Sequence, residues 1–207
     1  VAAQFVMVLD VFNLLELKQV TILFGLLFTA IACIIMGSGV PTTPTYIILA
    51  AIVAPALAGL GVPQLATHFF VFYYGVLADV TPPVALAAFA AAGIARSEPM
   101  GTGFTAFRLS MGKALVPFAF VYSPALLFID FTWSSFLLAS TCAIVAVMGL
   151  GAAYTGFVAR PIRGPSFWLL NVLSISLVFA NPVAAAVAIP GVLLILLWHN
   201  KPMPGTT

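Results

Sequence analysis

The chain has 207 residues, of which 63% are hydrophobic and 6% charged, and a formal net charge of +2. A soluble domain carries roughly a quarter charged residues, so the composition excludes one and places the chain in a lipid bilayer as an all-α, multi-pass membrane protein. The basic residues are dispersed, which leaves no patch for nucleic acid.

Residues 1–21 carry Asp10, Glu16 and Lys18 and read as a helix end plus an interfacial connecting segment. The first residue is Val1 and no basic-then-apolar leader follows it, so the chain is expected to be a fragment of a longer polypeptide. Residues 22–36 are apolar over only 15 positions. A span needs about 20, so this segment is predicted to enter the membrane and stop. Residues 37–43 form the predicted non-helical tip. Thr43 as N-cap and Pro44 at the first helical position then start a return arm to residue 60, completing a re-entrant helical hairpin over 22–60. Gly61, Val62 and Pro63 make a turn. A short aromatic helix follows to residue 78 and stops at Asp79. Thr81-Pro82 repeats the threonine–proline start, and a second half helix runs from 84 to 95. Residues 63–95 are therefore one broken transmembrane helix, and 22–95 form a single unit.

Residues 96–113 are more polar, and Phe104, Phe107 and Met111 fall at helical spacing. They read as an amphipathic connector at the cytoplasmic interface. Residues 114–207 supply the remaining membrane helices and a tail. A span at 115–129 is kinked by Pro117 and Pro124, and another at 133–159 is anchored by Trp133. Two arms, 167–180 and 183–198, flank the cap-plus-proline pair Asn181-Pro182. Each is too short to span alone, which favours a second hairpin over two crossings, with a long kinked helix as the alternative. Lys201 begins a loose tail. Lysine and arginine mark cytoplasmic loops, so Arg96, Arg108 and Lys113, together with Arg160 and Arg163, place both connectors inside and Asp130 outside. The first hairpin then opens from outside and its tip reaches the middle of the membrane.

The two interruptions, at 37–45 and at 79–83, carry the chemistry. Hydrocarbon cannot satisfy bare N–H and C=O groups, so broken backbone survives there only inside protein or lining a solute site. Paired broken helices mark the binding site of a secondary transporter. Half-helix C-termini offer carbonyls to a hard cation such as Na⁺, and N-termini offer N–H groups to a carboxylate. The cation-binding residues expected on this logic are Gly37, Ser38, Gly39, Thr42, Asp79 and Thr81. The substrate-binding residues are Pro41, Thr43, Thr45, Pro82 and Pro83. A carboxylate within the membrane costs roughly 2.5–3.5 kcal/mol on insertion scales, so Asp79 is a Na⁺ ligand or protonation site, or else caps the half helix that starts at Thr81. His68 reads as a helix-contact residue, and Arg96, Arg108 and Lys113 read as anchors and topology determinants. Cys33 and Cys142 are free thiols inside apolar runs, and no cysteine–histidine spacing forms a transition-metal site. No nucleophile–base or paired-acid arrangement supports an enzyme, and no cofactor beyond a coupling ion is implied. A channel would need a continuous polar lining, and a purely structural membrane subunit would not need two matched breaks.

The string Gly37-Ser38-Gly39-Val40-Pro41-Thr42-Thr43-Pro44-Thr45-Tyr46-Ile47-Ile48, followed by Ala78-Asp79-Val80-Thr81-Pro82-Pro83-Val84-Ala85-Leu86-Ala87-Ala88-Phe89, resembles the large permease subunit of tripartite ATP-independent periplasmic (TRAP) transporters. The closer similarity is to the fused-permease branch that works with TAXI-type solute-binding proteins, and it covers about residues 20–130. Ser38 stands where that branch usually has methionine, and Asp79 stands where the dicarboxylate branch has a small residue. The resemblance implies half of an elevator-type carrier of the ion-transporter superfamily, in the bacterial inner membrane. It further implies a missing N-terminal half, small-subunit-like helices fused upstream, and a periplasmic TAXI-type binding protein. The implied activity is sodium-coupled symport of small organic acids, with glutamate or 2-oxoglutarate as examples.

Overall fold

The structure is a computed structural model that describes residues 2–200, with side chains from residue 19 onward. The side chains of Asp10, Glu16 and Lys18 and the expected tail at 201–207 lie outside the described residues. The described α-helices are α1 (Ala2–Gly37), α2 (Thr42–Gly59), α3 (Gln64–Leu77), α4 (Leu86–Ala95), α5 (Pro99–Ser110), α6 (Val116–Tyr122), α7 (Trp133–Thr155), α8 (Pro165–Ser176) and α9 (Pro182–His199), with 3-10 turns between several of them. Five stretches are long and apolar enough to cross a bilayer, and the protein is an all-α membrane protein.

The first hairpin forms, with longer arms than expected. α1 runs unbroken for 36 residues, so the 15-residue stub starting at residue 22 is corrected. Residues 16–22 hold no glycine or proline and several good helix formers, which lets the helix continue through the polar stretch. Its apolar part, Gln19–Gly37, has 19 residues, and α2 has 18. At about 1.5 Å per residue each arm approaches the roughly 30 Å depth of the hydrocarbon. The arms are antiparallel: a Cβ on Gly25 would stand 2.9 Å from Leu60, whereas one on Gly37 would stand 3.4 Å from Thr45.

The return arm starts earlier than expected. Pro41, not Thr43, is the N-cap, and Thr43 and Pro44 lie in the first turn. Proline is accepted in a first turn because its missing N–H has no intrahelical partner there. Nor does Thr81-Pro82 open the second half helix. α3 ends at Leu77, a 3-10 turn covers Ala78–Val80, and α4 begins only at Leu86, behind Ala85 in a left-handed conformation (φ 36°). Thr81 closes the preceding helix instead, its hydroxyl donating to the Leu77 carbonyl at 2.8 Å.

The predicted span at 115–129 is also corrected. α6 stops at Tyr122, because Pro124 cannot continue it, and Phe128 turns left-handed (φ 60°). The stretch long enough to cross is Pro99–Tyr122, so the second half of the expected interfacial connector is continuous with α6 in one membrane-capable stretch. It runs antiparallel to α7. The Arg108 guanidinium donates to the Tyr154 carbonyl at 3.2 Å, and a Cβ on Gly112 would stand 3.0 Å from the Val147 carbonyl and 3.1 Å from the Gly151 nitrogen. α7 ends at Thr155, four residues short of the expected limit, at Gly156 in the left-handed C-terminal position (φ 75°).

Two cores result. Leu26, Cys33, Leu49, Leu57, Phe70 and Phe118 join α1, α2, α3 and α6. Cys142, Ala146, Leu170, Leu177, Ala188 and Val192 join α7, α8 and α9. Lipid is as apolar as leucine, so close backbone approach takes over from hydrophobic burial as the force joining membrane helices. Small residues supply it: Gly149 faces Ser174 and Val192, and Gly191 faces Leu173. Asn181 caps α9 as expected, accepting from the Val183 N–H at 2.9 Å. α9 has 18 residues and is long enough to cross, unlike the shorter arm before it.

Candidate functional site

The hairpin tip and the helix break lie against each other. A Cβ on Gly37 would stand 2.7 Å from the Ala78 Cβ and 3.3 Å from the Gly75 carbonyl. One on Gly39 would stand 3.5 Å from Val84. Glycine is required at the tip for two separate reasons. Gly37 leaves no room for a methyl group, and Gly39 has φ 85°, a conformation that costs other residues about 1–2 kcal/mol.

Hydroxyls ring this junction. Ser38 donates to the Ile34 carbonyl at 2.7 Å, and Thr45 donates to the Val40 carbonyl at 3.4 Å. With the buried Thr81 bonded to Leu77, all three spend their proton on backbone carbonyls. A hydroxyl so oriented keeps its lone pairs for a cation, the polarity a hard-cation site needs. Thr42 is partly buried, while Thr43, Pro41 and Pro83 are exposed at the surface of the tip and break. Pro82 is partly buried and joins Pro83 through a cis peptide bond.

Asp79 is not part of that hydroxyl ring. It lines a cavity of about 420 Å³ with Tyr73, Leu77, Val80, Ala87 and Lys113. None of the hairpin-tip residues lines it. Asp79 does not cap α4 either, since the N-cap position there is Ala85 and carries no side-chain hydrogen bond. Neither the Asp79 carboxylate nor the Lys113 ammonium has a hydrogen bond or ion pair among the described residues. Lys113 is the residue that sequence reasoning set aside as a topology determinant. The signal that could have found it is its isolation: one lysine after Gly112, entering an apolar run that holds no other charge before Asp130.

The 3-10 turn Met111–Leu115 carries Lys113 and is fixed on two sides. Gly112 presses it onto α7, and the Tyr74 hydroxyl donates to the Ala114 carbonyl at 2.8 Å. Phe70 and Tyr74 also stack edge-on against Phe118, at 5.3 and 6.2 Å between ring centres. His68 meets the Tyr46 hydroxyl through Nδ1 at 3.0 Å, which ties α2 to α3 as a helix contact.

α7 serves as a ruler for depth. Gly112 touches it between Val147 and Gly151, so the Lys113 turn lies within about 12 Å of the Thr155 end. That is the end Arg108 meets and from which the loop with Arg160 and Arg163 leaves. The Lys113 turn thus lies nearer the end of α7 that Arg108 meets than its far end.

A family model described as tripartite ATP-independent periplasmic transporter, DctM component, matches residues 6–134. That stretch contains the hairpin, the break and the Lys113 turn. No curated protein and no solved structure gave a match.

Proposed function

The chain belongs to the DctM-component family of tripartite ATP-independent periplasmic transporters, and on that premise we propose that it is the part of a sodium-coupled permease that binds the ion and a small organic acid. The family makes it a permease component of a secondary transporter, in a membrane, with a periplasmic solute-binding protein as partner. The observation that carries the finer reading is the contact between Gly37 and Ala78, which brings a hairpin tip and a helix break into one junction.

At that junction the hydroxyls of Ser38, Thr45 and Thr81 face a cation with their lone pairs, and loose helix-end carbonyls complete the oxygen set. Asp79 lies on the other side of the break and supplies negative charge to the coupling ion. In this reading the ion binds first. Ion binding pulls the tip carbonyls and the break together, and this fixes the surface onto which the acid then settles. No bond is made or broken in the substrate.

The chain supplies the second of two inverted halves of an elevator-type carrier in the bacterial inner membrane, and its binding protein is of the TAXI type. The test is uptake of labelled glutamate and 2-oxoglutarate by proteoliposomes holding the full-length permease and that binding protein. Uptake is expected to need an inward sodium gradient, and Asp79→Asn is expected to reduce the sodium dependence. Equal uptake without sodium would reject the coupling.

A further inference from the structure

We infer that Lys113 is the group that receives the carboxylate of the substrate, opposite Asp79 in the cavity beside the break. The inference deepens the symport reading above and rests on it.

The cavity has the volume of a small-molecule site, about 420 Å³ against a usual range of roughly 300–1,000 Å³. Its walls are mainly Phe72, Val76, Leu77, Val80 and Ala87, with one cation and one anion set among them. Low-dielectric walls strengthen both charges, and apolar pockets with a few convergent polar groups are the usual form of a ligand site.

Lys113 is exposed, and two features tie it to the cavity all the same. Its turn is held from both sides, by Gly112 on α7 and by the Tyr74–Ala114 hydrogen bond. The only carboxylate lining the cavity, Asp79, makes no ion pair with it.

Charge balance then assigns the partners. A cation arriving at Asp79 and a carboxylate arriving at Lys113 leave the loaded cavity neutral, which favours its passage through hydrocarbon. Either ligand alone leaves one charge unmatched. The two charges lie in one cavity, so filling one side strengthens the other, which is the linkage a symporter needs.

The test uses Lys113→Cys in the full-length permease with its binding protein. Both cysteines of this chain, Cys33 and Cys142, are buried, so the introduced thiol is the accessible one here, and the unsubstituted permease treated in parallel controls for the rest. Labelled glutamate uptake, with a substrate of net charge −1 that keeps the loaded cavity neutral, is expected to show a KM raised at least tenfold. Aminoethyl methanethiosulfonate, which rebuilds a primary ammonium, restores it, and sulfonatoethyl methanethiosulfonate, which installs an anion, abolishes uptake. Lys113→Arg keeps at least partial uptake. An unchanged KM, or a loss that the aminoethyl reagent does not repair, overturns the inference while leaving sodium-dependent uptake by the unsubstituted permease intact. Absence of uptake by the unsubstituted permease sinks the symport reading, and this inference with it.

Discussion

Gly37 stands where a single methyl group would separate the two halves of the site. Its missing Cβ would overlap the Ala78 Cβ at 2.7 Å, and neither neighbour is a flexible side-chain tip that could swing aside. Overfilling a tight contact costs about 1–3 kcal/mol. Gly37→Ala is therefore expected to lower thermal stability by that order and to cut uptake at least tenfold. A variant with unchanged melting and unchanged uptake would show that tip and break need not touch. At this scale much was legible. Glycines, hydroxyls and prolines in an apolar run mark a break whatever surrounds it. The partner of each hydroxyl was not legible, because Thr81 bonds backward to Leu77 and proline spacing alone points forward. The place of Lys113 in a cavity was not legible for a related reason. Its charge counts equally toward topology or toward a cavity, and only the turn that carries it decides between them.

The helices are set by contacts more than by their ends. Thr67 is fully buried on α3, and its hydroxyl has no hydrogen-bond partner among the described residues. A buried hydroxyl left unpaired costs about 1–3 kcal/mol. Thr67→Val, which keeps the shape and removes the polar atom, is expected to raise stability by about 1 kcal/mol in a thermal melt of the purified permease, with uptake unchanged. A fall in stability would mean that the hydroxyl is paired in the assembled protein. Helix existence was legible from composition along most of the chain, but limits were not. α1 ran on past the polar residues because nothing there breaks a helix. α6 stopped at Tyr122 because Pro124 does. The amphipathic spacing of Phe104, Phe107 and Met111 suited an interface, yet Met111 starts the turn that Gly112 presses onto α7. A glycine opposite a backbone carbonyl leaves no mark in a hydropathy pattern.

Across the whole molecule, α1, α2 and α3 bring the tip and the break to one end, the end where Arg108 meets α7. Many large apolar side chains face outward, Ile94 at 88% exposure among them, as lipid or further permease helices would require. The expected all-helical membrane architecture was legible from composition alone, because so few charges leave no other class. The depth of the site was not, since it depends on how two cores stand against each other, and no single segment records that. The meeting of tip and break underlies the proposed cation site, and it is tested most directly by Gly39→Cys combined with Val84→Cys in the full-length permease. A Cβ built at position 39 would stand 3.5 Å from the Val84 Cγ1, which puts the two Cβ atoms within about 5 Å of each other, near the roughly 3.5–4.5 Å of a disulfide. Mild oxidation is expected to join the two peptides, detected by mass spectrometry, and to stop uptake until a reductant is added. Failure to join, or full uptake in the joined protein, would contradict a site made from the tip and the break.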